Sequence, residues 1–350
     1  MNPRRRSLVG AWARLVGWAV CFALAAPVAP AWAQAAPTSA LESQSQALQR
    51  ASDAVVGLSV TALDDARSSA TLGAVRLGSG VVIGDEGLVL TIGYLVLEAQ
   101  TVTLLPDDGR QVPARVVAYD LATGFGLVQA LAPLRLAGVP LGAAGGLSDQ
   151  APLVFISGGP QGTVSPVRLL ARSPFSGSWE YHLEQALYTA PARRDQSGAG
   201  LFDEAGRLVG IGSLFLGRAG DTPQTAQPGN MFVPVDLLVP VLQELRTAGQ
   251  SRASLRPWLG LNCVETAQGL RVVRVTEDSP ADVAGVQPGD IVERIDGVAV
   301  LALATLWKTL WSRGPAEREV TLEVLREGRR ETLAVYSVDR LKTFRREQGI

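Results

Sequence analysis

From Ala54 to about Pro234 the chain is written in short apolar runs, each closed by turn residues. Residues 54–60, 80–83, 88–91, 101–105, 114–119 and 126–131 form one series. Gly84-Asp85-Glu86-Gly87 and Pro106-Asp107-Asp108-Gly109 are among the turns between them. The style returns in residues 151–157, 163–172, 181–190, 208–216 and 231–234. Short β-branched runs with a turn roughly every 8 to 12 residues suit small barrels or sandwiches and leave no room for long helices. The spacing predicts two consecutive all-β barrels with a cleft between them.

Outside this region the period changes. Leu237, Leu238, Val241, Leu242 and Leu245 recur at helical steps and predict a helix of about three turns over 235–247. Residues 248–256 are polar, contain Gly and Ser, and read as a linker. The block 257–340 predicts strands over 259–264, 270–275, 291–295, 320–325 and 331–336, with a helix over 303–311. The tail 341–350 is charged and expected to fray. Leu41, Leu48 and neighbouring alanines predict one amphipathic helix in the segment 34–53, after a flexible lead-in.

Residues 1–33 have the layout of a secretory signal peptide. Arg4, Arg5, Arg6 and Arg14 form a basic start, an apolar run follows over 15–29, and Ala31-Trp32-Ala33 offers small residues for cleavage after Ala33. Arg5-Arg6-Ser7-Leu8-Val9 loosely fits a twin-arginine signal. The rival reading is an uncleaved membrane anchor, but Pro27 and Pro30 break the run short of the roughly 20 residues a spanning helix needs. The expected location is therefore exported and periplasmic. Loss of the four arginines takes the net charge from −1 to −5. No basic stripe is left to neutralise phosphates, which argues against a nucleic-acid partner. Cys21 leaves with the signal, so Cys263 has no disulfide partner and the fold must rest on its core.

Between the apolar runs 186–191 and 208–216 lies Asp195-Gln196-Ser197-Gly198-Ala199-Gly200-Leu201. A serine in a glycine-rich bend between strands can present its hydroxyl to a cleft. This stretch resembles the G-N-S-G-G-P-L segment that holds the nucleophile of trypsin-like proteases. Such a serine works only with a base, a carboxylate that orients the base, and N–H groups that receive the oxyanion.

Several segments, in order, resemble the HtrA/Deg family, trypsin-like serine proteases with a C-terminal PDZ domain. Gly78-Ser79-Gly80-Val81-Val82-Ile83 is similar to its G-S-G-V-I-I, Gly87-Leu88-Val89-Leu90-Thr91 to its G-Y-I-L-T, and Asp108-Gly109-Arg110 to its D-G-R turn. Gly229-Asn230-Met231-Phe232-Val233-Pro234-Val235-Asp236 is similar to its G-x-x-F-A-I-P-x-D. The run from Ser279-Pro280-Ala281-Asp282 through Pro288-Gly289-Asp290-Ile291-Val292 resembles a PDZ signature. The resemblance covers about 54–337. It implies a mainly β fold: a two-barrel, trypsin-like (chymotrypsin-fold) domain over 54–247, followed by an α+β PDZ domain over 257–340.

The resemblance fails where the chemistry should be. Where the family has T-x-x-H-V-V, this chain reads Thr91-Ile92-Gly93-Tyr94-Leu95-Val96, so Tyr94 replaces the histidine. Where it has T-D-L-A-L, the chain reads Thr123-Gly124-Phe125-Gly126-Leu127, so Gly124 replaces the aspartate. Ser197 keeps the nucleophile position, and Asp195 takes the place of an oxyanion-hole glycine. Asp195 visits the left-handed region more readily than most residues, which weakens the hole rather than excluding it, and its charge opposes an oxyanion.

No substitute base is evident. His182 is the single histidine and is expected to be structurally satisfied on a strand; no lysine lies between Gln34 and Trp307. Tyr94 has a reference pKa near 10. Cys263 reads as a small buried hydrophobe, and one histidine with one cysteine make no metal shell, so neither metal nor cofactor is expected. Loss of the triad histidine typically costs about 10⁶ in turnover, or ~8 kcal/mol of barrier. The expectation is a pseudoprotease with a vestigial Ser197; the alternative is an active serine-type endopeptidase of this family in envelope protein quality control.

PDZ domains add an extended peptide, often a C-terminus, to a sheet edge beside a helix. The resemblance sets the carboxylate-binding loop at Trp258-Leu259-Gly260-Leu261. Leu259 would line the pocket for the last side chain, and the helix carrying Trp307 and Trp311 would form the other wall. Helical spacing favours a core role for both tryptophans. Arg256 would add charge attraction or be simply solvated. The partners implied are peptides or protein C-termini, with a homotrimer or a mixed assembly with active relatives.

Overall fold

The computed structural model describes residues 35–84, 86–220 and 226–345; the leader expected over 1–33 lies outside them. By internal contacts the chain divides after Glu42. Helix α1 (Ala35–Asp53) begins the described chain. From Ser43 onward the chain is one unit, built of two closed barrels and an α+β module.

The first barrel is β1 (Val55–Ala62), β2 (Val75–Gly84), β3 (Leu88–Ile92), β4 (Ala99–Leu105), β5 (Val112–Tyr119) and β6 (Phe125–Ala130), closed in the order β1-β2-β3-β6-β5-β4. Val56, Leu58, Leu90, Leu104, Phe125 and Leu127 fill it. Between strands it carries two single-turn helices, α2 (Ser69–Leu72) and α3 (Gly93–Val96). The second barrel is β7 (Pro152–Ile156), β8 (Val164–Ser176), β9 (His182–Ala190), β10 (Gly200–Phe202), β11 (Leu208–Ala219) and β12 (Gln227–Pro234), closed as β10-β11-β12-β9-β8-β7. Strand β10 was not legible because only three residues pair and glycine opens it. Closure through it removes the open edges that two separate sheets would present.

After the barrels comes α4 (Leu242–Ala248), and then β13 (Pro257–Trp258), β14 (Leu261–Thr266), β15 (Gly269–Val275), β16 (Ile291–Ile295), β17 (Val298–Ala299), β18 (Glu319–Arg326), β19 (Arg329–Tyr336) and β20 (Val338–Asp339). The sheet order is β14-β15-β16-β18-β19, with β17 on β16 and β13 paired to β20. Two helices, α5 (Pro280–Val283) and α6 (Leu303–Ser312), accompany it. The S-P-A-D run is a helix start: Ser279 Oγ accepts from Asp282 N at 3.3 Å, and Pro280 sits where no N–H is needed. Asp290 of the P-G-D turn is buried, accepts from Gln287 N at 2.9 Å and pairs with Arg326 at 2.7 Å.

Three expectations are corrected. The helix expected over 235–247 is a 3₁₀ turn at Val235–Leu237 and then α4, with the interruption at Pro240, which has no N–H to give and disfavours helical backbone in the residue before it. The stretch read as a polar linker is strapped to the first barrel: Ser251 and Ser254 are buried and bond to Asp120. The tail does not fray through Arg345. Leu341 is buried, the Phe344 ring lies 6.0 Å from that of Tyr119, and Arg345 N–H donates to Glu98 Oε1 at 2.8 Å.

Candidate functional site

Ser197 sits in a bend wedged between the barrels. Gly198 has φ 74°, and a Cβ there would lie 2.0 Å from the Ser79 carbonyl oxygen, so only glycine fits. Its N–H donates to Gly212 O at 2.9 Å, and Ser197 O accepts from Ser79 N at 2.9 Å. The bend is thus clamped by β2 on one side and β11 on the other, and the serine hydroxyl is left facing α3.

There it meets Tyr94. The Tyr94 hydroxyl lies 2.8 Å from Ser197 Oγ and 2.8 Å from the Ser213 carbonyl oxygen. A phenol has one proton to give. If it goes to the carbonyl, which can only accept, then Ser197 donates into a neutral phenol oxygen. If it goes to Ser197, the nucleophile's lone pair is engaged by a donor. Burial pushes the Tyr94 hydroxyl up to about 12, against a lowering by Ser197. Near pH 7 its basic form is therefore present at a fraction on the order of 10⁻⁵.

Gly124 lies in the turn from β5 to β6, with φ 83°, and its carbonyl accepts from Gly93 N at 2.7 Å, next to Tyr94. No carboxylate occupies this corner. A Cβ on Gly124 would meet the Tyr181 hydroxyl at 2.8 Å, which itself donates to Thr123 O at 2.7 Å. The nearby carboxylate is Asp120, fully buried and turned the other way. It accepts from Thr123 N (3.0 Å), Thr123 Oγ1 (2.6 Å), Ser251 N (3.0 Å) and Ser254 Oγ (2.6 Å). Sequence reasoning missed Asp120, whose local signal is only an Asp with a Thr three residues on that bonds back to it.

Asp195 is committed elsewhere. Its carboxylate accepts from Ser157 Oγ (2.6 Å), Thr163 Oγ1 (2.7 Å) and Arg193 Nε (3.2 Å). Burial works to raise its pKa, but hydrogen bonds from Ser157, Thr163, Arg193 and its own N–H outweigh that and hold it below the ordinary carboxylate value. Among the described residues the non-glycine positions with positive φ are Glu98, Arg135, Gln150, Asp278, Asp296 and Glu327, so the left-handed backbone considered for Asp195 is not adopted.

His182 opens β9 on the β8–β9 hairpin. Nδ1 is 2.9 Å from Ser176 Oγ, Nε2 is 3.5 Å from Glu184, and burial lowers its pKa. Cys263 is buried in the PDZ core, and burial pushes its thiol up to about 12.

The loop 258–261, expected to bind a peptide carboxylate, is occupied by Glu180. Leu259 N lies 3.1 Å from both Glu180 carboxylate oxygens, and Gly260 N and Leu261 N lie 2.7 and 3.1 Å from Oε1. Next to it, Cys263 N donates to Ser178 O at 2.7 Å, and Trp179 bridges Asn262 in antiparallel register. Burial raises Glu180 to about 7, opposed by the N–H groups of Leu261 and Leu259, by Arg340 and by Gly260. Trp307 is core, as its spacing predicts, with Nε1 donating to Gly177 O at 3.0 Å. The Leu259 side chain, expected to line the pocket, is wholly buried in the module's core just ahead of β14, and Arg256, read as either attracting charge or solvated, is half-buried. Arg256 stacks 3.7 Å from the Trp311 ring centroid, donates to Leu121 O at 2.8 Å, and is lowered by burial to about 10. Trp258 is buried and paired to β20, with Arg340 5.7 Å over its ring.

Residues 78–211 match the trypsin-like peptidase domain family and residues 257–336 the PDZ domain family. Among curated proteins, a probable periplasmic serine protease do/HhoA-like of Haemophilus influenzae is 30% identical over 270 residues, 72% of this chain and 56% of that protein. A probable periplasmic serine endoprotease DegP-like of Pseudomonas fulva is 27% identical, covering 74% and 55%. The serine endoprotease DegS of Haemophilus influenzae is 24% identical, covering 73% and 74%. The chain thus spans about half the length of the DegP-like and HhoA-like relatives. Among solved structures, the HtrA-type protease AlgW with decapeptide shares the fold at TM-score 0.52 and 21% identity, over 84% of this chain and 98% of that one. The serine endoprotease from Yersinia pestis does so at 0.51 and 22%, over 84% and 97%. The chain is a trypsin-like peptidase domain joined to a PDZ domain, and it belongs to the HtrA-type serine protease family, homologous to proteins named DegP and DegS.

Proposed function

We propose that this chain is an exported pseudoprotease of the family, which holds peptides or protein C-termini through its PDZ domain without cutting them. The observation that carries the reading is the partner of Ser197. Its hydroxyl faces the Tyr94 phenol at 2.8 Å, and burial pushes the pKa of that phenol up to about 12. A general base must be deprotonated at the working pH to take the serine proton. Gly124 supplies no carboxylate, and the Asp195 side chain is spent on Ser157, Thr163 and Arg193. The relatives are named periplasmic, and no helix among the described residues is long and apolar enough to cross a membrane. We place the chain in the periplasm, as a homotrimer or in mixed assemblies with active relatives.

A fluorophosphonate probe with casein turnover tests this. Labelling of the purified protein at pH 7–8 is expected to be no faster than labelling of Ser197→Ala, and casein is expected to stay intact. The second reading is an active serine endopeptidase of envelope quality control, favoured by the names of the relatives. Casein cleavage that disappears in Ser197→Ala would establish it and end the first.

A further inference from the structure

The PDZ groove holds a piece of its own chain. Within the β8–β9 hairpin, residues 177–180 lie along β14 with the polarity of a bound peptide. Ser178 meets Cys263, Trp179 meets Asn262, and Glu180 reaches the loop ahead of β14. The segment runs antiparallel to the edge strand and ends in a carboxylate, the two features by which such grooves recognise a C-terminus. All three loop amides, of Leu259, Gly260 and Leu261, are taken by that carboxylate. The other wall is engaged as well: Trp307 of α6 holds Gly177 O at 3.0 Å, and Lys308 pairs with Glu184 at 2.7 Å.

Glu180 is 5% exposed, with Arg256 and Arg340 close enough to act on it electrostatically. Burying Glu180 is costly, and the amides of Leu259, Gly260 and Leu261 with the guanidinium groups of Arg256 and Arg340 offset part of that cost.

We infer that the β8–β9 hairpin is an internal ligand of the PDZ groove, with the Glu180 side chain in the place of a peptide's terminal carboxylate, and that peptides with a free C-terminus bind by displacing it. The inference rests on the peptide-binding reading above and names its regulation. The apparent dissociation constant of such a peptide is the intrinsic one divided by the fraction of open grooves. Because the hairpin is tethered, its effective concentration is in the millimolar range, and it outcompetes weak ligands.

The test uses the full chain, with a pool of fluorescein-labelled ten-residue peptides ending in Val, Leu or Phe as free acids, and the same peptides amidated. Fluorescence polarisation reads affinity, and hydrogen exchange reads the amides of Leu259, Gly260, Leu261 and Cys263. In Glu180→Ala these amides are expected to exchange at least tenfold faster than in wild type. Free-acid peptides are expected to bind at least tenfold tighter than to wild type and to restore protection, while amidated ones do not. Glu180→Gln, which keeps size and one acceptor oxygen, is expected to fall between and guards against misfolding of the alanine variant. Equal exchange and equal affinity in all three proteins would overturn the internal ligand and leave the peptide reading standing. Faster exchange with no peptide bound to any variant would overturn the peptide reading, and the competition with it.

Discussion

Restoring the family's two missing residues, Tyr94→His with Gly124→Asp, is expected to give a protein that still fails to cleave casein and melts earlier than wild type. The corner where the resemblance places a carboxylate is filled in another way. Gly124 has φ 83°, and its missing Cβ is where the Tyr181 hydroxyl packs, 2.8 Å away. A side chain there adopts left-handed backbone at a cost of roughly 1–2 kcal/mol. It also displaces Tyr181 from Thr123 O, a bond worth about 1 kcal/mol net, more if the hydroxyl is left buried without a partner. The sum is about 2–4 kcal/mol of lost stability, read as a fall in Tm. Tyr94→His alone removes the contact to the Ser213 carbonyl and provides an imidazole with no carboxylate to fix its tautomer. Adding Tyr181→Phe to the double variant is expected to recover part of the stability, because the colliding oxygen is gone. Turnover in the double variant a thousandfold above that of Ser197→Ala would show that the site was two substitutions from activity, and would defeat this account.

Removing the Asp120 carboxylate is expected to be the most damaging single change to stability. Asp120→Ala leaves the donors of Thr123, Ser251 and Ser254 buried without their acceptor, a loss of roughly 3–5 kcal/mol. Asp120→Asn keeps the shape but turns an amide N–H₂ toward groups that are themselves donors. The effect should depend on acid in a definite direction. Burial tends to raise the Asp120 pKa, yet the bonds from Ser251, Ser254 and Thr123 outweigh it and hold the folded value below the ordinary one. A folded pKa below the unfolded value stabilises the protein above about pH 4 and loses that contribution as pH falls through the folded value. Urea midpoints of wild type and Asp120→Asn should therefore differ most at pH 7 and converge below about pH 4. A gap that stays constant down to pH 2.5 would show that the carboxylate charge plays no part. Because Asp120 ties residues 251–254 to the first barrel, its loss should also loosen the strap that delivers the PDZ domain to the β8–β9 hairpin.

Much of the fold could be read from local pattern. The strands at 88–91, 101–105 and 114–119 announce themselves by β-branched content between turn residues, and Ser279-Pro280-Ala281-Asp282 by its PDZ-like pattern. The expectation that Tyr94 and Gly124 stand where the family has histidine and aspartate came from motif spacing alone. Strand β10 was missed because its three residues carry no period long enough to detect. Asp120 was missed because its meaning depends on Ser251 and Ser254, more than a hundred residues away.

What the sequence determined alone was the order of strands and turns, the mainly β character of the fold, and the presence of a single histidine, His182. These are local properties, since pleat, turn chemistry and capping act over a few residues. Only the tertiary structure decided which hydroxyl faces Ser197 and which corner of the cleft is filled by Tyr181. It alone showed that Glu180 of the β8–β9 hairpin reaches the backbone amides of residues 259–261, 79 to 81 residues further along the chain. No periodicity encodes such pairings. They follow from where two independently patterned modules press together, and from the need of each buried polar group for a partner that the other module supplies.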